Sequence, residues 1–182
     1  MNIKSIIFLI IIYLIFNNFY KGYIPYYPSI SVYPNNKNEI KIVLKKINNR
    51  TQKDIDFFYL TNKTVSKAFF PYVKESLEEL NSYYIKQNYI ILFFKYLINR
   101  QRCWNLNKLI KPINIDTAKT PSYPAGHAYQ AYLLSKILSK KYPEKRELFE
   151  KIAYKCDECR VLAGLHYPSD GVFSRKLVDY FN

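Results

Sequence analysis

From Gly126 onward the apolar residues recur at helical spacing, and proline and glycine cut the pattern at definite points. Tyr129, Tyr132, Leu133, Ile137 and Leu138 share a face of a segment from Gly126 to Lys141, which Pro143 ends by removing a backbone donor. Glu144 to Ala163 repeats the pattern and stops at Gly164, a residue suited to a left-handed helix cap. Pro168 opens a last helix reaching Tyr180, since its fixed φ suits the first helical position. Upstream, Asn62 to Arg100 also has helical spacing. Val65, Ala68, Phe69, Tyr72 and Val73 fall on one face, Ile90 to Leu97 is a dense apolar block, and Pro71 splits the region. Asn38 to Ile47 reads as a short helix capped by Asn38, and Thr51 with Asp54 resembles a capping box before a second. Residues 101–125 have no sustained period and read as a long connecting segment, a length usually either functional or disordered. No strand-like alternation and no internal repeat competes, so an all-α helical bundle is predicted.

Composition excludes several classes. The 182 residues are 49% apolar and 18% aromatic, enough to bury a core in one domain and too much for disorder. Three cysteines do not make a disulfide scaffold. The net charge of +14 attracts phosphorylated molecules and anionic surfaces, but the chain is rich throughout in Ile, Asn, Lys, Tyr and Phe, so charge alone names no partner. A nucleic-acid partner is not expected.

Ser5 to Phe16 (SIIFLIIIYLIF) is the one apolar run near spanning length. It follows Lys4 and lacks a small-residue cleavage site, which favours an uncleaved signal-anchor over a removed signal peptide. The chain then divides into residues 1–20, the anchor or signal; 21–37, a proline- and tyrosine-rich extended tether; and 38–182, one helical domain. That organisation implies a protein held to a membrane by its N-terminal helix, or secreted. In either case Asn49 and Asn62 begin glycan-acceptor triplets.

The two histidines have unusual settings. His127 follows Pro124-Ala125-Gly126 at the start of an apolar helix, where free N–H groups and a partial positive charge favour an anion. His166 lies in a turn after Arg160, with Asp170 four positions on; that carboxylate can accept the imidazole N–H and fix its tautomer. Lys95 and Arg102 are seven apart, about two helical turns, so a continuous helix would aim both to one side. Cys156 and Cys159 form a lone C-x-x-C inside a helical pattern, a weak metal or redox signal better read as two ordinary helical cysteines.

In this order the three pieces resemble the superfamily of type 2 phosphatidic acid phosphatases, class A acid phosphatases and vanadium haloperoxidases, whose pattern is K-x6-R-P, P-S-G-H and S-R-x5-H-x3-D. Lys95 and Arg102 match the first element, Pro124, Gly126 and His127 the second, and Arg160, His166 and Asp170 the third. The resemblance spans roughly residues 65–180. It implies the superfamily's helical fold and hydrolysis of soluble or lipid phosphate esters. It implies that His166 attacks phosphorus to form a phosphohistidine, that Asp170 orients His166, and that His127 protonates the leaving oxygen and then activates water. Lys95, Arg102, Arg160 and the Gly126 N–H would hold the phosphoryl oxygens, with no metal or other cofactor required.

Three residues depart from the pattern: Cys103 replaces Pro, Ala125 replaces Ser and Cys159 replaces Ser. Ala125 cannot donate to phosphate, a loss of about 1.5–3 kcal/mol unless Ser122 or Tyr123 compensates. The same cradle could hold vanadate in a haloperoxidase, and the departures at 103 and 125 also suit a catalytically inactive, basic anion-binding module.

Overall fold

The structure, a computed structural model, describes residues 30–182. The expected N-terminal anchor (1–20) and the tether as far as residue 29 lie outside the described residues. Among the described residues there are nine α-helices: α1 (Asn36–Asn49), α2 (Gln52–Asn62), α3 (Ser66–Phe69), α4 (Leu77–Ile85), α5 (Asn88–Ile98), α6 (Cys103–Leu106), α7 (Gly126–Lys141), α8 (Arg146–Leu162) and α9 (Pro168–Phe181). Short 3-10 turns cover Phe70–Tyr72 and Pro143–Lys145. Among the described residues there is no strand, so the fold is all-α. None of their helices is long and apolar enough to cross a membrane.

The periodic segments form where their breakers allow. Gly164 takes φ +74 and closes α8, with its N–H donating to Val161 O and the Leu165 N–H to Arg160 O. A Cβ there would meet Ile110 and Ile47 side chains at 3.1 and 3.2 Å, so both backbone and packing call for glycine. Thr51 and Asp54 make the reciprocal capping box at α2. Three boundaries differ from expectation. Helix α1 starts at Asn36 instead of Asn38, because Asn35 accepts from the Lys37 N–H and is the cap. Helix α8 starts at Arg146, since the residues after Pro143 tighten into a 3-10 turn. Residues 101–125 contain one short helix, α6.

The core lies where α7 packs on α8 and α9. Leu133, Leu134 and Leu138 of α7 meet Phe149 and Ile152 of α8 and Leu177 and Val178 of α9, and Phe69 and Leu80 close the cluster. Phe149 is fully buried, with Phe69 and Tyr142 rings against it. Phe149→Ala should lower unfolding free energy by about 3–5 kcal/mol, read as a lower denaturant midpoint at unchanged slope.

Residues 30–37 lie against the body. The Ile30 N–H donates to Ile98 O, and the Tyr33 ring sits over Arg100 and beside Tyr123. The last part of the expected tether is thus packed beside the end of α5.

Candidate active site

His166 is placed by the α8–α9 connection. After the Gly164 cap the chain turns, Tyr167 becomes the N-cap of α9, and Asp170 falls at its third position. There the carboxylate accepts the Tyr167 N–H at 3.0 Å and His166 Nδ1–H at 2.8 Å, both on Oδ2. The same oxygen accepts from Ser122 Oγ, and Oδ1 accepts from Arg100 Nη1 at 2.7 Å. Asp170 is an acceptor only, so His166 carries its proton on Nδ1 and presents the Nε2 lone pair. Arg102 Nη1 donates to that Nε2 at 2.9 Å.

His127 is placed by α7. The Ala125 N–H donates to Asp170 O, and Ser174 Oγ donates to Ala125 O at 2.8 Å, which ties the start of α7 to α9. His127 Nε2–H donates to Asn62 O at 3.0 Å, which puts the ring's lone pair on Nδ1.

Lys95 and Arg102 converge, but not along one helix. Helix α5 ends at Ile98, Asn99 turns left-handed with φ +51, and Arg102 precedes α6. Lys95 Nζ donates to Pro121 O at 2.6 Å, and Arg102 donates to Thr120 O at 2.9 Å and Leu165 O at 2.8 Å. Two cations thus fold the 101–125 segment back over the site. The expected two-turn helical alignment is replaced by a left-handed turn that reaches the same place.

The result is a hollow of about 190 Å³ bordered by Lys95, Arg102, Gly126, His127 and His166, with Asn88, Ile91, Leu92, Thr117, Thr120 and Gln130 completing its wall. Asp170 stands behind His166. Arg160 does not border the hollow: its guanidinium donates to Thr61 Oγ1 at 2.6 Å and Asn62 Oδ1 at 3.4 Å, over the Phe58 ring. Arg160, expected to hold phosphoryl oxygens, stands one layer back, beside the Asn62 that holds His127.

Burial dominates the electrostatics. It pushes His166 down to about 3, with Arg102 adding to it and Asp170 opposing, so the ring is neutral at ordinary pH. Burial, then Arg160, holds His127 well below the usual histidine value. Burial, then Arg102, lowers Lys95 well below the lysine range, and burial brings Arg102 down to about 10. Burial alone would raise Asp170, but the His166 hydrogen bond and Arg100 overcome it and hold the carboxyl well below its usual range. Such a site favours an incoming anion, which would relieve the crowding of positive groups.

Departures from the sequence pattern have structural answers. Cys103 Sγ donates to Gly164 O at 3.1 Å, and burial raises the thiol to about 12, so it ties α6 to the His166 turn. Cys159 donates to Cys156 O one turn back, both thiols are buried, and no cluster of three metal-ligating side chains occurs among the described residues. Ser122 Oγ donates to Asp170 Oδ2, and Tyr123 is stacked on Phe173. Thr117 and Thr120 border the hollow. Asn62 is buried and its side-chain oxygen also accepts from Thr117, so this triplet is not a glycan acceptor, whereas Asn49 is exposed.

A larger cleft of about 390 Å³ lies along α7, α8 and α9, lined in part by Tyr132, Lys136, Arg146, Glu150 and Arg175. Neither histidine reaches it. Sequence reasoning missed Arg100, Glu39 and Asn62, whose roles come only from tertiary contact. No family model matches this chain, and no curated protein matches its sequence.

Proposed function

We propose that this protein is a phosphomonoesterase that works through a phosphohistidine on soluble or lipid phosphate esters, with a fold of the acid phosphatase and haloperoxidase type. One observation carries the reading: an imidazole from the first turn of α7 and another from the α8–α9 connection border one hollow with the Lys95 amine and the Arg102 guanidinium. A phosphoryl group spreads its charge over three oxygens and needs several fixed donors around it. Lys95, Arg102 and the Gly126 N–H fill that role, and their fixed positive charge lets the reading proceed without calling on a metal.

His166 Nε2 attacks phosphorus as the bond to the ester oxygen breaks. His127 Nδ1–H gives its proton to the leaving alkoxide, and the phosphohistidine remains. His127 then takes a proton from water, hydroxide attacks phosphorus, and the P–N bond breaks to return the electron pair to Nε2. Asp170 holds Nδ1–H throughout and stabilises the charge that the ring acquires. Arg102 releases Nε2 as it turns to a phosphoryl oxygen. The substrate anion favours protonation of His127, which burial and Arg160 disfavour.

The test is phosphate release from a panel of monoesters, including a water-soluble aryl phosphate and a phosphatidate in mixed micelles. Turnover should be insensitive to chelator and inhibited by vanadate. Absence of release across the panel by folded protein would overturn the reading.

A further inference from the structure

Arg100 has no place in the sequence pattern, yet it is fully buried directly behind the His166–Asp170 pair. Its Nη1 donates to Asp170 Oδ1 at 2.7 Å and to Ser169 Oγ at 2.8 Å. Its Nη2 donates to Glu39 Oε2 at 2.6 Å and Asn36 Oδ1 at 2.8 Å, and Nε donates to the same Asn36 oxygen at 3.0 Å. The guanidinium lies between the Tyr167 ring, 3.7 Å from its centroid, and the Tyr33 ring at 4.2 Å. Glu39 is itself held by the Ser169 N–H and hydroxyl. A planar cation so enclosed has one orientation.

We propose that Arg100 is a positioning residue for His166: it locks the Asp170 carboxylate and draws off part of its charge, so that His166 stays the neutral, Nδ1-protonated imidazole. This rests on the phosphatase reading for its kinetic consequence and on geometry for the rest. A carboxylate offered to an imidazole alone favours the imidazolium, which has no lone pair for attack. Here one carboxylate oxygen faces the ring and the other faces Arg100. The remaining charged and titratable groups acting on His166 are Arg102, Lys95 of α5 and His127 of α7, and the positive groups among them also oppose its protonation. Arg100 differs in acting through Asp170. Asn36 and Glu39 give α1, the helix that follows the N-terminal segment, a part in preparing the nucleophile.

The experiment is a ring ¹⁵N NMR titration of His166 in the full chain from pH 8 down to pH 2.5, paired with steady-state kinetics. Wild type and Arg100→Lys should keep a neutral Nδ1–H ring until the pH nears the His166 value of about 3. Arg100→Met should raise the protonation midpoint by at least about one pH unit, and lower kcat about 10–100-fold with KM changed less than about threefold. If Arg100→Met does not fold, the double variant Arg100→Met with Glu39→Gln carries the same readout without an unpaired Glu39. A folded Met variant that titrates as wild type, or a Lys variant that titrates as the Met variant, overturns the proposal. The NMR arms need no turnover, so a protein that hydrolyses no ester defeats the phosphatase reading and leaves the positioning role to be judged separately.

Discussion

His166→Ala is expected to remove turnover, by on the order of 10³-fold or more in kcat, while inorganic phosphate still binds within a few-fold of wild type. The separation follows from how the site is held. Lys95 is fixed by Pro121 O, and Arg102 by Thr120 O and Leu165 O, so neither cation depends on the imidazole for its place. Asp170 loses one partner but keeps Arg100, Ser122 and the Tyr167 N–H, which spares the fold an unpaired buried charge. Alkaline quenching of a reaction with ³²P-labelled ester should trap an alkali-stable, acid-labile phosphoprotein in wild type only. Retained turnover in the alanine variant, or labelling elsewhere in the chain, would remove His166 from the mechanism.

The sequence was informative wherever chemistry coincided with a break in helical spacing. His127 sits beside a glycine at the start of α7, and His166 between a glycine cap and a helix-opening proline, so local pattern alone marks both. The period likewise exposes α7, α8 and α9, because each has a buried face long enough to register. Lys95 and Arg102 were reached by a spacing rule that the structure does not follow, since Asn99 ends the helical path between them. Arg100 was hidden for the opposite reason. It stands in the basic run Asn99-Arg100-Gln101-Arg102, where an arginine ordinarily faces solvent, and only packing against Glu39 and Asp170 changes its meaning. Arg160 fits its spacing, yet Thr61 and Asn62 of α2 hold it away from the hollow. Contacts between distant segments leave no periodic trace, so local reading is weakest on the residues that support the site.

His127→Ala provides a second large effect, and its size should depend on the leaving group. An alkyl phosphate must expel a poor alkoxide, so loss of the proton donor should lower kcat about 10²–10⁴-fold. A 4-nitrophenyl ester expels a stable phenolate, and its first-turnover release should lose far less. The pH profile gives an independent check. His166 must be unprotonated to attack, which puts the acid limb near its value of about 3. His127 must be protonated to deliver its proton, and burial with Arg160 places that group below an exposed histidine. Activity on alkyl esters should therefore fall as pH rises toward neutrality, giving an acidic optimum. In His127→Ala that alkaline fall should flatten for the 4-nitrophenyl ester, whose departure no longer waits on a proton. Equal losses for alkyl and aryl esters in the first-turnover release of alcohol or phenol would instead assign His127 to holding phosphate, with the Asn62 carbonyl serving only to orient its ring.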